Sequence, residues 1–455
     1  RIISGALVLA MLGGVLGTWL GSVRGAMVLA LVVAGSSAAG KLAFDSLVQR
    51  DAPDANHGRW FARFEGRFQL SWAVGALAAV AGPALGGFLV DEVGWEAVFW
   101  LHIPVVALIL AGLRIVPESK DSRERTLDVP GAALVTGGLL TAVYGIIQGG
   151  EAGWLSAEIL GAFAIGGVLL AAFALVEARS AYPMLPLRYL KQADFTGPFF
   201  VIMVLILAMA GVFFFLTQYF QLVQGRTALT AGLFIMPVAG TMMIGAGMAS
   251  KFGPKFGPKV MTIAGELVVM AGMGALTQIE VDSSYAIPAI GLALFGLGMG
   301  LVMPTETDTI MAAVPVEDAG LGSAMNDTSR EFGLALGVAV LGSVVTGVYR
   351  DRVTSGLEGL VPADAVATLG DSLGSLNAVA SQLPADVAQT VATLANESFV
   401  DAMSVGILAG MGIVALSVVI ALVAMPSKMR ESQAELEEDA VKPVVAGIPG
   451  MSPAD

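Results

Sequence analysis

The sequence predicts an all-α polytopic membrane protein, and three observations carry that prediction. Of its 455 residues, 56% are hydrophobic and only 13% charged, with a mean hydropathy of +0.79; a soluble globular domain does not tolerate such a balance. Apolar windows of about 20 residues, the length a helix needs to cross a bilayer, recur along the chain. Basic residues concentrate in alternate gaps between those windows, the bias that sets membrane topology.

The windows fall at residues 2–21, 25–47, 68–90, 97–116, 130–148, 155–176, 196–217, 229–250, 259–278, 286–304, 328–348 and 401–425, twelve spans in all. One set of gaps holds Arg50, Arg59, Arg63, Arg67, Arg114, Lys120, Arg123, Arg125, Arg179, Arg188, Lys191, Lys251, Lys255, Lys259, Arg330, Lys428, Arg430 and Lys442. The other holds only Arg24, Arg226, Arg350 and Arg352. The basic side is the cytoplasmic one, which puts both ends of the chain in the cytoplasm. For the same reason the net charge of -13 is divided between two compartments and is not one surface property.

Several gaps have a character of their own. Residues 49–67 are basic and aromatic, with Trp60, Phe61 and Phe64 among the arginines, and read as an amphipathic helix on the membrane surface. Their place between two spans argues against a nucleic-acid partner. Lys251-Phe-Gly-Pro-Lys-Phe-Gly-Pro-Lys259 is a short Gly- and Lys-rich turn. Residues 350–396 form the longest polar insertion, with short external helices expected around Ala363–Leu369 and Ala385–Leu394. The tail from Ser427 is acidic and then proline-rich, a short helix dissolving into disorder.

Composition also excludes chemistry. There is no cysteine, so disulfides and thiolate sites are ruled out. His57 and His102 are too few and too far apart to suggest a metal cluster. No phosphate-binding loop of the G-x-x-x-x-G-K-[ST] type occurs. Nothing calls for a cofactor, and the spans do not gather the acid, base and nucleophile residues of an enzyme site.

Gly82-Pro83-Ala84-Leu85-Gly86-Gly87 sits inside the window 68–90. Gly75, Ala79, Gly82 and Gly86 share a helix face, and small residues let helices pack closely in a bilayer. That face alone is equally consistent with generic helix packing. Together with Trp95 and His102-Ile103-Pro104, however, the segment resembles the antiporter motif of drug:proton antiporters in the major facilitator superfamily, in its fourteen-helix multidrug efflux branch. Leu127-Asp128-Val129-Pro130-Gly131, Pro183-Met-Leu-Pro186-Leu187 with Phe195, and Gly232-Leu-Phe-Ile-Met-Pro237 are similar to further stretches of that branch. So are Gly296-Leu-Gly-Met-Gly300 with Pro304, and Ala319-Gly-Leu-Gly-Ser323 with Asn326 and Arg330. Residues 333–342 weakly repeat the small-residue face of the Gly82 helix.

The resemblance implies a domain order: residues 1–126 as the remainder of an N-terminal helix bundle, and 127–190 as two inserted helices and a cytoplasmic loop. Residues 191–426 follow as a C-terminal bundle with an extracellular loop at 350–400, and 427–455 as the tail. By its register the twelve spans correspond to helices three to fourteen, so a natural N-terminus is expected before Arg1. The fourth helix of the family carries an arginine. Here Val33-Ala-Gly-Ser-Ser-Ala-Ala-Gly-Lys41 has none, and the continuation from Lys41-Leu-Ala-Phe-Asp45 through Phe68-Gln69 resembles a different bacterial branch of the superfamily, as in a mosaic or with a divergent or joined first ~75 residues.

Ionisable residues within spans are costly and usually face a cavity or a partner. Lys41 and Asp45 share a helix face, as a proton-sensitive pair or as groups solvated at the membrane boundary. Glu266 stands well inside its span, as a proton carrier or as a neutral hydrogen-bonded group in a helix interface. Asp327, Arg330 and Glu331 cluster where the Gly333 helix is expected to begin, complementing its dipole or serving proton coupling. Glu306 and Asp308 are expected at the cytoplasmic end of their span, solvated or gating. Phe214, Gln218 and Gln221, with Pro237, offer aromatic surface and sparse polar anchors for a bulky hydrophobic or cationic molecule, or alternatively a lipid-facing belt.

The resulting expectation is a proton-coupled secondary transporter of the bacterial cytoplasmic membrane, exporting hydrophobic or cationic small molecules, with protons and the lipid bilayer as its other partners. The rivals are a non-transporting truncated or mosaic remnant, and a narrow-specificity metabolite exporter.

Overall fold

The structure, a computed structural model, describes residues 82–112, 128–180, 189–314 and 319–428. No strand occurs among the described residues. The helices are α1 (82–92), α2 (Glu96–Trp100), α3 (His102–Gly112), α4 (Val129–Ala152), α5 (Ala157–Arg179), α6 (Ala193–Gln218), α7 (Ala228–Phe256) and α8 (Pro258–Leu276). They continue as α9 (Ala286–Ala313), α10 (Ala319–Leu357), α11 (Ala363–Asp371), α12 (Leu376–Ala380) and α13 (Ala385–Ala424). Eight of these (α4–α10 and α13) are long and apolar enough to cross a membrane. They coincide with the last eight windows read from the sequence. The windows 2–21 and 25–47, the stretch 49–67 and the tail beyond Lys428 lie outside the described residues.

Local chemistry sets the helix ends. Asp128 accepts from the Gly131 N–H at 2.9 Å and Ser156 from the Ile159 N–H at 3.4 Å, satisfying amides that a helix start leaves orphaned. Between α7 and α8 the Gly- and Lys-rich turn narrows to one residue, Gly257, at φ +78°, a conformation that glycine adopts without strain. The chain leaving α13 packs on this turn: the Lys259 N–H donates to the Pro426 carbonyl, and Lys259 Nζ donates to the Leu422 carbonyl at 2.8 Å.

Helices α6 to α10 and α13 form one bundle, while α4 and α5 pack as a hairpin that touches it along α10. Ser343 Oγ on α10 donates to the Ile146 carbonyl of α4 at 3.1 Å. The bundle core holds Phe195, Leu205, Phe220, Val269, Met273 and Phe295. At one end α6 runs into a π turn, Tyr219–Val223. There Tyr219 Oη donates to the Glu280 carbonyl at 2.9 Å, and Gln224 Nε2 donates to Tyr219 Oη and the Ser283 carbonyl.

Two expectations change. α10 and α13 contain 39 and 40 residues, which at about 1.5 Å per residue is roughly twice the thickness of the hydrocarbon layer. Both therefore project beyond the bilayer, and Ala385–Leu394 is the opening of α13 instead of a separate short helix. The expected helix at 363–369 is present as α11. Arg350 pairs with Asp371 at 2.8 Å and Arg352 with Asp401, while Val353, Leu357, Leu369 and Leu373 carry the bundle's apolar core on into the projection. Likewise α10 is already helical at Ala319, so Asp327, Arg330 and Glu331 lie several turns inside it and complement no helix start.

The seams between helices are glycine-lined. A Cβ on Gly272 of α8 would stand 2.6 Å from the Phe295 backbone nitrogen of α9, and one on Gly298 would stand 2.7 Å from the Val269 nitrogen. Backbone cannot step aside as a side-chain tip can. Gly272→Val is therefore expected to destabilise the bundle by about 1–3 kcal/mol, the usual cost of overpacking, read as a lower thermal midpoint in detergent. Gly247→Ala, with nothing within 4 Å among the described residues, is expected to leave that midpoint unchanged.

Candidate functional site

Helix α1 lies against the start of α7. A Cβ on Gly87 would meet the Ala228 carbonyl and, at 2.6 Å, Leu229 Cα, while one on Gly232 would meet the Pro83 carbonyl. Pro83 and Gly87 are one turn apart, so this face of α1 is the one in close approach. Gly82 and Gly86 meet nothing within 4 Å among the described residues. Gly75 and Ala79 of the expected small-residue face lie outside the described residues; within them, Pro83 and Gly87 are the positions that face α7.

Just beyond Gly87, Asp91 caps α7 across the seam. Its Oδ1 accepts from the Ala228 N–H at 3.1 Å and its Oδ2 from the Leu229 N–H at 2.8 Å. Thr227 Oγ1 takes the next amide, that of Thr230, at 3.2 Å. Every amide of the first turn then has a partner, and the carboxylate meets the positive end of the helix dipole. The backbone N–H of Leu229 is the main influence holding the Asp91 carboxyl below its usual range. The charged cap is therefore present at and above the ordinary carboxylate range and is lost as pH falls through the lowered value. Sequence reading missed Asp91; the signal was an acid four residues after Gly87, at the mouth of a small-residue face.

The remaining candidates separate. Lys41 and Asp45 lie outside the described residues. On α10, Arg330 Nη2 donates to Thr307 Oγ1 of α9 at 3.2 Å, Asp327 lies within electrostatic range of Arg330, and Glu331 is exposed. On α6, Phe214 is 46% exposed and turns away from the core, whereas its neighbour Phe213 packs on Phe295 at 6.1 Å. Gln218 and Gln221 are half-buried, as is Pro237, whose carbonyl accepts from Thr241 Oγ1 at 2.8 Å. A cleft of about 410 Å³ lies elsewhere, between α10 and α11, lined by Arg350, Thr354, Glu358 and Asp371. Below Arg226, Phe234 stacks on Tyr285 at 4.1 Å, and the Arg226 guanidinium sits 5.9 Å above the Phe234 ring. Aromatic side chains beside a cation are thus gathered at the α7–α9 end as well as on α6.

Two acids converge inside the bundle. Glu266 on α8 and Glu306 on α9 are both 0% exposed and lie within electrostatic range of each other. Thr262 Oγ1, one turn before Glu266, donates to Glu306 Oε1. Among the described residues, both oxygens of Glu266 and Glu306 Oε2 are buried without a hydrogen-bond partner, as is Ser417 Oγ on α13, which reaches toward Glu266. The expectation of a solvated Glu306 is overturned for a simple reason: α9 continues as helix to Ala313, carrying Glu306 into the contact with α8. Asp308, two residues on, points another way. The sequence signal was the helical spacing Thr305, Glu306, Thr309, which Pro304 obscured.

Helices of bilayer length, glycine-lined seams and acids buried between spans define a polytopic all-α membrane protein. Comparison with known proteins gives the family. The model described as Major Facilitator Superfamily matches residues 1–338, and the chain belongs to that superfamily. It is 32% identical over 379 residues to the tetracenomycin C resistance and export protein of Streptomyces glaucescens, covering 81% of this chain and 69% of that one. It is 33% identical over 319 residues to the multidrug efflux pump LfrA of Mycolicibacterium smegmatis, covering 70% of this chain. It is 27% identical over 410 residues to the multidrug transporter protein MdtP of Bacillus subtilis, covering 85% and 74%. The chain spans 63% of the length of LfrA, less than two thirds.

The α1–α7 cap makes a local prediction. Asp91→Ala is expected to speed amide hydrogen exchange at Ala228 and Leu229 while leaving Thr230, held by Thr227, near its original protection. Asp91→Asn, which keeps one acceptor oxygen, is expected to fall between. Unchanged exchange in Asp91→Ala would show that the cap does not hold the seam.

Proposed function

We propose that this chain is a secondary transporter that exports hydrophobic or cationic small molecules across the cytoplasmic membrane in exchange for protons. The observation that carries the reading is its similarity, over most of its length, to superfamily members whose names are those of drug export and resistance proteins. The exported class is consistent with the aromatic surface of α6 and with Phe234 and Tyr285, since rings bind lipophilic cations by stacking and cation–π attraction. In this reading residues 191–426 are one of two rocking bundles and residues 1–126 belong to the other, with α4 and α5 inserted between them; the basic gaps face the cytoplasm. The end carrying Asp91 and Arg226 then faces outward. The Pro83–Gly87 face closes against α7 there and parts when the cavity opens to that side, as alternating access requires. Lys41, Asp45, Asp327, Arg330, Glu331 and Glu266 are the candidates for carrying or sensing the proton.

The test is energised efflux of a lipophilic cationic dye from cells or vesicles holding the protein. Efflux is expected to stop when a protonophore collapses the proton gradient and to resume when the gradient is restored. Efflux that persists through the collapse would contradict proton exchange, and absence of efflux for every dye and drug tried would contradict broad drug export and leave a non-transporting membrane protein or an exporter of narrow specificity.

A further inference from the structure

We propose that Glu266 and Glu306 form a two-carboxyl proton site within the bundle α6–α10 and α13, holding one proton between them beside Thr262 and Ser417. The site itself is inferred from geometry; its part in export rests on the reading of the preceding section.

The argument is one of charge. A fully buried carboxylate is tolerated only with a cation or with hydrogen bonds to its oxygens. Here both acids are fully buried, yet of their four carboxyl oxygens three have no partner. Nor, among the described residues, does any facing helix supply a cation. α13 carries no ionisable residue from Ala402 to Ala424. On α8, the Lys259 ammonium is engaged by the Leu422 carbonyl. On α7, Lys251 and Lys255 sit over the rings of Phe252 and Phe256. On α10, Arg330 donates to Thr307, with Asp327 beside it. The other acid on α9, Asp308, adds negative charge, and the acid on α6, Asp194, stands at its first turn. Two bare negative charges at this spot would repel each other in a medium of low dielectric constant.

A single proton resolves the arrangement. Placed on one carboxyl, it removes one of the two charges and turns one of the orphaned oxygens into a donor. The remaining charge sits on Glu306, to which Thr262 Oγ1 donates, while Ser417 Oγ approaches the Glu266 carboxyl from α13. Loss of the proton restores both charges and pushes α8 and α9 apart at a seam where Gly265 and Gly298 bring the backbones into contact. Protonation at this point therefore acts on the packing of α8, α9 and α13.

Infrared difference spectroscopy of the protein in lipid nanodiscs reads the proton directly, without any transport. The wild-type protein at neutral pH is expected to show a protonated-carboxyl C=O band that shifts in D2O and is lost in the double variant Glu266→Gln/Glu306→Gln. Thr262→Val, which removes the donor to Glu306 and leaves both acids in place, is expected to move the band without abolishing it; this variant also keeps the test open should the double variant fail to fold. A double variant that is folded and retains the band unchanged would overturn the proposal. A band that emerges only when sodium is withdrawn would overturn it in favour of an alkali cation held by the same oxygens. The band present in a protein that exports nothing would leave the site standing and sink the export reading. Proton-driven efflux from a folded double variant whose band matches wild type would do the reverse.

Discussion

A helix in a bilayer has its own backbone satisfied and gains little from burying apolar side chains, because the lipid is equally apolar. What then holds one helix to another is close backbone approach, and this structure depends on it throughout. Gly265 and Gly298, Gly272 and Gly291, and Gly245 and Gly300 bring α8, α9 and α7 together at distances that no Cβ would survive. Gly333 and Gly337 do the same for α10 against the Met203 and Leu207 carbonyls of α6. Polar groups are set into this close packing with little room to relax, so each has a structural consequence.

Such seams differ in what they permit. Within the bundle they are extended and backed by a common core of Phe195, Phe220, Phe295 and Met273. Between α1 and α7 the contact is the short approach of Pro83 and Gly87 to Ala228, Leu229 and Gly232, ended by the Asp91 cap. Its hydrogen bonds are exposed at the helix ends, so parting the helices there lets water take the place of the carboxylate at the freed amides. In the closed form Asp91 fixes the register of this seam through its two hydrogen bonds to the start of α7.

The last eight spans could be read from the sequence because hydropathy over about 20 residues reports bilayer length directly. The face of α1 could be read less well. The glycines of 82–87 announce close packing, but that Gly87 is the one to meet α7 depends on a helix 140 or so residues away and is invisible locally. Glu306, just after Pro304, reads as solvated or gating at the end of its span; proline is tolerated in membrane helices when neighbours satisfy the freed carbonyl, and α9 passes through it. The length of α10 and α13 was hidden because their projecting turns are polar and resemble loop. Glu266, by contrast, stood out at once as a lone acid among apolar residues, and its burial agrees with that reading; its partner Glu306 needed the fold.

The measurement that bears most directly on the account is the distance across the α1–α7 seam under working conditions. The chain has no cysteine, so spin labels can be placed cleanly at Val93 and Leu233, both exposed. Pulsed electron resonance in proteoliposomes is predicted to show two separations, a short one matching this structure and a longer one whose share changes when a proton gradient and a lipophilic cation are applied. A single separation, unmoved by gradient or substrate in a preparation that exports the same cation, would contradict the claim that this seam opens and closes in transport.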